Sequence, residues 1–298
     1  MAHPTAPGED DTLHQARALL AELRARAESE APPLRGQLAR LDALLMAASL
    51  PEAALRALRD ESAEYASLIA HEVRVPLTSL RGYADMLRQG IAGPLNETQA
   101  QFVEVIRDNA IRMEALIANI NDLSKIRAGR LKLNRAVTAY ADVVAEVERQ
   151  THPIAEERAH TLTFNTPDGL PHVNADRPRL IDALVKLVAN ALLYTPAGKG
   201  QITVSAASDS GKLRVSIADN GIGMSAEERA RLGEPFWRAD HDLVRAHKGH
   251  GLGFAVARGV IALMDGEVGV ASTPGAGTTV TLTLPGAEPA PSEGTTPG

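Results

Sequence analysis

The sequence contains no cysteine, which excludes disulfides, thiolate metal sites and thiol nucleophiles together. Aromatic residues make up only 3 % of the 298, so any core must be built from aliphatic side chains. Long hydrophobic runs are missing as well. The longest, Ala43 to Leu50 with Ser49 inside it, is far short of the ~20 residues that cross a membrane, and no membrane span is expected. A surplus of positive charge is also absent: 31 basic against 37 acidic residues leave a net charge of −6. Nucleic acid is therefore not expected as a partner, because a phosphate backbone needs a basic face. Glycine and proline, 24 and 18 residues, are too few for a low-complexity chain. Residues 1–12, MAHPTAPGEDDT, are polar and acidic and unlike a secretory leader. The expectation is a cytoplasmic protein of about two domains.

The chain divides into regions of different hydrophobic period. From about residue 12 to 130 apolar residues recur at alternating steps of three and four, the mark of a helical seam. Leu13, Ala16, Leu20, Leu23 and Ala27 do so first, then Leu55, Leu58, Ser62, Tyr65 and Ile69. Pro32-Pro33 must interrupt the first helix, and Ser49-Leu50-Pro51-Glu52 reads as a fresh start. The long helix that follows is expected to run to about Gln89, with Ile69, Val73, Leu77, Leu80, Ala84 and Leu87 on one stripe. Asn96 then caps a second helix after a turn over 91–96. Its stripe is Phe102, Ile106, Met113, Leu116, Ile120 and Leu123, with Asn109 inside it as a polar layer that sets register. Two helices joined by so short a turn form an antiparallel hairpin. The apolar surface left over predicts pairing with a second copy as a four-helix bundle. Beyond Gly129, strand-like alternation at 162–164, 202–204, 213–217 and 280–284 is interleaved with helical segments near 141–158, 178–194 and 252–264. That mixture indicates one α+β domain. From residue 287 onward AEPAPSEGTTPG has no apolar anchor and reads as a disordered tail.

His71 is the sharpest single residue. On a helix advancing about 100° per residue it lies about 200° from both Ile69 and Val73, so it faces away from the apolar stripe. Glu72 beside it can orient the imidazole, leaving the other ring nitrogen nucleophilic. Arg74 adds positive charge, and Pro76, costly inside a helix, frees the carbonyl of Glu72 one turn on. The second domain holds three glycine runs. Asp219-Asn220-Gly221-Ile222-Gly223-Met224 follows a strand, Gly249-His250-Gly251-Leu252-Gly253 opens a helix, and Gly275-Ala276-Gly277-Thr278 precedes the last strand. The middle run suits phosphate, since glycine lets backbone N–H groups approach an anion at a helix N-terminus. No P-loop pattern occurs.

His71-Glu72-Val73-Arg74-Val75-Pro76-Leu77-Thr78 resembles the phosphoacceptor box of two-component sensor histidine kinases. Lys186-Leu187-Val188-Ala189-Asn190-Ala191 resembles their N box, and the DNGIGM run their first G box. Glu234-Pro235-Phe236-Trp237-Arg238 is similar to the F box, and GHGLGF and GAGT to the second and third G boxes. The resemblance covers roughly residues 55–286. It implies an α plus α+β architecture: a helical-hairpin domain forming a dimeric four-helix bundle, then an α/β-sandwich ATP-binding domain of the Bergerat type shared with gyrase, Hsp90 and MutL. The expected divisions are an input segment over 1–50, a dimerisation and phosphotransfer domain over 51–130, an ATP-binding domain over 131–286 and the tail over 287–298.

The implied roles follow residue by residue. His71 takes the γ-phosphoryl group of ATP, with Glu72 as general base or orienter. Asn190 holds Mg²⁺, Asp219 accepts the adenine amino hydrogen, Thr278 supports adenine recognition and Tyr194 flanks the nucleotide. Gly221 and Gly223 belong to the nucleotide site. Gly249, Gly251, Leu252 and Gly253 meet the phosphates at the end of a lid over about 225–250, and Arg238 approaches them. The implied activity is autophosphorylation of His71 with ATP-Mg²⁺ in a homodimer, then transfer to an Asp of a response regulator. An upstream sensor protein would act through the N-terminal helices. A nucleotide-binding scaffold with little transfer activity, or another ATPase or kinase of the same superfamily, is the alternative.

Three positions depart from the family pattern. Val75 stands where Thr or Asn usually positions the water that dephosphorylates the regulator, so weak phosphatase activity is expected. Lys186 replaces the first Asn of the N box, and Leu193 a basic residue. Lys186 lies one turn before Asn190 on the same helix face and could meet phosphate in place of the missing cation. His241, His247 and His250, with Asp240 and Asp242, read as a polar lid rather than a metal site.

Overall fold

The computed structural model describes residues 52–247 and 249–287, with side-chain detail from Ser67 onward except at Ile69. The expected helices of residues 1–50 and the expected tail beyond Ala287 lie outside the described residues. Helix α1 spans Glu52–Arg88 and contains Pro76 in its interior. Helix α2 spans Glu97–Arg127. Its start is a capping box: the Asn96 side chain accepts from the Gln99 N–H at 2.8 Å, and the Gln99 side chain accepts from the Asn96 N–H at 3.0 Å.

The hairpin seam is built mainly on alanines, with one leucine and one valine. Ala70, Leu77 and Ala84 of α1 and Val103 and Ala110 of α2 are buried. Across it Arg81 donates to Glu114 at 2.6 Å and Arg107 to Asp85 at 2.9 Å. The stripe expected on α2 is displaced by this packing. Phe102, Ile106 and Met113 remain 63 %, 48 % and 47 % exposed, because Val103 and Ala110 let the two backbones approach more closely. On α1 the same thing happens to Leu80, which is exposed, whereas Leu77 and Ala84 face inward. Asn109 corrects another expectation. It is exposed, and its amide donates to the Val105 carbonyl of its own helix at 2.9 Å instead of crossing the hairpin.

The second part is a seven-stranded sheet under a layer of helices. In chain order its elements are β1 Ala136–Thr138, α3 Tyr140–Glu157, β2 Thr161–Asn165, β3 His172–Ala175, α4 Arg177–Leu193, β4 Gln201–Asp209 and β5 Lys212–Asp219. There follow α5 Ala226–Arg231, α6 Asp242–Ala246, α7 Gly253–Ala262, β6 Glu267–Thr273 and β7 Gly277–Ala287. The strand order is β1-β3-β7-β5-β4-β2. Strand β7 pairs with β5 on one edge; on the other it pairs first with β6 and then, through Gly286 and Ala287, with β3. Ala287, expected as the first tail residue, is therefore the last residue of a strand. Alternation on β4 and β5 turns Ile202, Val204, Leu213, Val215 and Ile217 into one core with Leu180, Leu184 and Val188 of α4 and Val256 and Val260 of α7. The buried core is aliphatic except for Tyr140, in keeping with the scarcity of aromatics.

Helix α4 begins on Asp176, whose side chain accepts from the Arg179 N–H at 3.2 Å and the Asn134 N–H at 2.9 Å. The end of α2 rests on this domain. Leu123 and Ile126 pack against its core, and Asp122 forms an ion pair with Arg179 in the first turn of α4. Gly259 of α7 leaves room for Ile126: a Cβ there would lie 2.9 Å from Ile126 Cγ2.

Candidate active site

The sheet's central strands and α4 enclose a cavity of about 590 Å³, closed on the remaining sides by the segment from Leu232 to Phe254 and by α2. Its apolar walls include Ile217, Val280, Leu187, Ile222 and Met224. Asp219, the last residue of β5, supplies the carboxylate. Its Oδ1 accepts the Gly221 N–H at 2.9 Å and the Thr278 N–H at 3.1 Å. Burial raises the pKa of this carboxyl above the ordinary value, and the two N–H donors act in the opposite direction. With Oδ1 engaged, Oδ2 is the acceptor left for a ligand.

Two glycines make that arrangement possible. Gly277 has φ +99°, and a Cβ on it would sit 1.9 Å from the Asp219 carbonyl oxygen. Gly223 has φ +64°, and a Cβ on it would sit 1.9 Å from the Thr273 carbonyl oxygen. Ser272 ties the same strands together. Its hydroxyl donates to the Gly277 carbonyl at 3.0 Å and accepts from the Met224 N–H at 2.8 Å. The Ser272 hydrogen being used, the Thr278 hydroxyl donates to it at 2.8 Å and turns lone pairs elsewhere. Asn220 has a structural role: its side chain accepts from the Gln201 N–H at 2.8 Å and donates to the Lys199 carbonyl at 3.1 Å.

Asn190 and Tyr194 reach the cavity from the last turns of α4. Among the described residues the Asn190 amide makes no side-chain hydrogen bond, so its oxygen is free for a cation. The N-terminus of α7 faces the same space. Leu252, its N-cap residue, offers no side-chain cap, and a Cβ on Gly249 would meet nothing nearer than the Tyr194 hydroxyl at 3.9 Å. An uncapped helix start with open space before it suits a polyphosphate. A carboxylate at one end, an amide oxygen in the middle and a helix N-terminus at the other fit a purine nucleotide with its metal. Mg²⁺ commonly takes only one or two protein oxygens beside phosphate and water.

Most of the residues expected at a nucleotide site converge here. Asp219, Gly223 and Thr278 line the cavity at its carboxylate end, and Asn190, Tyr194, Gly249, Gly251 and Gly253 line the remainder. Gly221 and Leu252 do not line it. Both are buried beneath it, Leu252 at 1 % exposure. Arg238 lines the cavity, yet its guanidinium is turned to the lid, donating to the carbonyls of Val244 and His247. Its Nε is buried with no partner among the described residues. The lid carries its own ion pairs, Arg245 with Asp240 at 2.6 Å and with Asp242 at 2.8 Å, and His247 meets Arg158. Lys186 also faces the cavity, paired with Asp182 one turn earlier.

His71 and Glu72 are exposed on α1 and are not part of the cavity wall. The pairing of Arg81 with Glu114 and of Asp85 with Arg107 fixes the antiparallel register. His71 thereby stands level with the stretch of α2 just past Asn119. Ala115, Ala118 and Asn119 of that helix line the cavity, so the axial offset from His71 is about one helical turn. Sequence reasoning missed these three residues, as well as Trp237 and Asp182. Trp237 had a signal, being the only tryptophan and lying within the F-box run; the α2 residues had none, because docking of one part on the other leaves no local pattern.

The comparisons with known proteins follow the same division. A family model described as histidine kinase-, DNA gyrase B-, and HSP90-like ATPase matches residues 175–288, and the His Kinase A (phospho-acceptor) domain model matches residues 61–129. An uncharacterized sensor-like histidine kinase of Rhizobium meliloti is 32 % identical over 240 residues, 78 % of this chain and 46 % of that protein. Histidine protein kinase DivJ of Caulobacter vibrioides is 36 % identical over 223 residues, 75 % of this chain and 37 % of its own. Full-length ShkA, solved in complex with AMPPNP, superposes with a TM-score of 0.65 at 27 % identity, over 77 % of this chain and 47 % of that one. The chain thus spans less than half the length of these curated relatives. Among the described residues no helix is long and apolar enough to cross a membrane. With a phosphoacceptor-type hairpin and a nucleotide-type sheet domain matched in the order of the motifs, the chain belongs to the two-component sensor histidine kinases.

Proposed function

We propose that this chain is an ATP-dependent protein-histidine kinase that phosphorylates His71 and passes the phosphoryl group to an aspartate of a response-regulator receiver domain. The observation that carries the reading is the exposed imidazole of His71 on a hairpin whose second helix forms one wall of a nucleotide-sized cavity. Asp219 Oδ2 accepts the adenine amino hydrogen, with Thr278 beside it. Tyr194 flanks the nucleotide and Asn190 holds the cation. The N–H groups from Gly249 to Gly253 meet the phosphates. Gly221 and Leu252, being buried, act on the site through its backbone. Arg238 reaches the phosphates once released from the lid carbonyls. Mg²⁺, when bound, neutralises phosphate charge.

A ring nitrogen of His71 attacks the γ-phosphorus. The new N–P bond forms as the bond to the β–γ bridging oxygen breaks, and ADP departs with that electron pair. The attacking nitrogen must be unprotonated, so the proton sits on the other one, where Glu72 orients it and takes it up. The large exposed residues Tyr83, Phe102 and Val105, at 66 %, 63 % and 58 % exposure, favour a second copy as the hairpin's partner, completing a four-helix bundle. A signal would enter through the N-terminal helices from an upstream sensor protein. The reading places the chain in the cytoplasm, where ATP and receiver domains are found.

Incubation with ATP labelled at the γ-phosphate, with Mg²⁺, tests the reading. Wild type should take up acid-labile, base-stable label, and His71→Gln should take up none. Label retained in His71→Gln would refute the assignment of the acceptor. Nucleotide binding without any label would favour the scaffold alternative.

A further inference from the structure

Asp182, Lys186 and Asn190 stand at successive steps of four along α4, and all three line the cavity. The Lys186 ammonium is held by both carboxylate oxygens of Asp182. Its stem lies against the start of α7: Lys186 Cβ is 4.0 Å from the place a Cβ on Gly253 would occupy. A flexible four-carbon stem thus begins at the uncapped, positive end of a helix, with its charge turned aside onto a neighbouring acid. A lysine in that place would repel the helix end if it were not neutralised. Asp182 supplies the neutralising charge while no polyphosphate is present, and the pair is only partly buried: the Lys186 and Asp182 side chains are 20 % and 46 % exposed. A pair that solvent still reaches is held less firmly than a buried one, so the ammonium can pass to a stronger anion. Leu193, three residues past Asn190, contributes no cation of its own.

Resting on the kinase reading, we propose that Lys186 is a phosphate-binding residue whose resting counter-ion is Asp182. The ammonium leaves the carboxylate for the polyphosphate when a nucleotide enters. Part of the charge neutralisation that a divalent cation would otherwise supply comes from the protein, so the chain binds a nucleoside triphosphate to a measurable degree without divalent metal.

Equilibrium titration of the full chain with ATP, by competition against a fluorescent adenine nucleotide, tests this in EDTA and again in Mg²⁺. Lys186→Met keeps the stem beside Gly253 and removes the charge. It should weaken binding in EDTA about tenfold, the worth of one charge-assisted hydrogen bond, and less in Mg²⁺. Asp182→Asn should strengthen binding in EDTA severalfold, a change in the direction that general damage to the fold does not produce. Equal affinities of wild type and Lys186→Met in EDTA, with Mg²⁺-dependent binding intact in both, would overturn the proposal and leave the kinase reading standing. Failure of wild type to bind ATP under either condition would overturn both.

Discussion

Replacing Asp219 with Asn tests the nucleotide reading at a single atom. The amide has nearly the shape of the carboxylate, and its oxygen can still accept the Gly221 and Thr278 N–H groups now bound at 2.9 and 3.1 Å. The cavity-facing oxygen, however, becomes an NH₂ donor. An adenine amino group would then meet a donor with a donor. Loss of a hydrogen bond to a charged acceptor, with the ligand's N–H left unsatisfied, costs about 3 kcal/mol, or a rise in Kd of roughly 150-fold. Stability moves differently. Burial holds the Asp219 carboxyl above its ordinary pKa of 3.8, so over the interval from that value up to its folded value the folded chain binds more protons than the unfolded one. Stability therefore falls as pH rises through that interval, and above it wild type carries the full cost of the buried charge. The Asp219→Asn variant has no charge to bury at this position. In thermal melts it should gain on wild type as pH climbs past 3.8, while fluorescent-nucleotide titration at neutral pH shows affinity nearly abolished. Unchanged affinity would refute the assignment of adenine to this carboxylate. A variant that loses ground as pH rises would show that the two N–H bonds, not burial, dominate the group's energetics.

Gly259→Ala should improve the helix propensity of α7 by about 1 kcal/mol yet push against Ile126, which would lie 2.9 Å from the new methyl. The sheet domain should hold its melting temperature while hydrogen exchange quickens in the last turns of α2; unchanged exchange would show that the contact does not hold the two parts together. Val75 is 59 % exposed and one turn past His71, so Val75→Thr should leave stability within about 0.5 kcal/mol. It should speed the loss of phosphate from a phosphorylated response regulator incubated with the chain and ADP, and rapid loss already in the Val75 chain would remove the idea that valine impairs that step.

Much of the fold was legible because it is governed by period. The capped start of α2 at Asn96, the core strands β4, β5 and β7, and the helices α3, α4 and α7 all follow from apolar spacing and end signals. Where the sequence reading went astray, small residues were the cause. Alanines 70, 84 and 110 carry little hydrophobic weight in a pattern, yet they define the hairpin seam by letting backbones approach, and the heavier Phe102, Ile106 and Met113 are left outside. Strands β1, β3 and β6 escaped notice because each is short or half exposed; β1 and β3 also owe their place to partner strands far along the chain, whereas β6 is the half-exposed arm of a hairpin with β7. At the site, the glycine runs gave away the backbone and the polar ends of the cavity. What they could not convey is that Arg238 turns to the lid, that Asp182 holds Lys186, or that α2 closes one side, since each depends on contacts across many residues.

Helix α4 explains why these features belong together. Its apolar face, with Leu180, Leu184 and Val188, is sunk in the core, so its rotation about its own axis is fixed by burial alone. The polar face that rotation leaves over carries Arg179, Asp182, Lys186 and Asn190 at steps of three and four. In most surface helices such a row meets water. Here its first member grips Asp122 of α2 and the others line the cavity, over a span of about 16 Å from Arg179 to Asn190. The grip on the hairpin and the cavity wall are thus carried by one rigid rod with one rotational setting. Hairpin contact and cavity wall therefore meet in a single helix, with no relay of side chains between them.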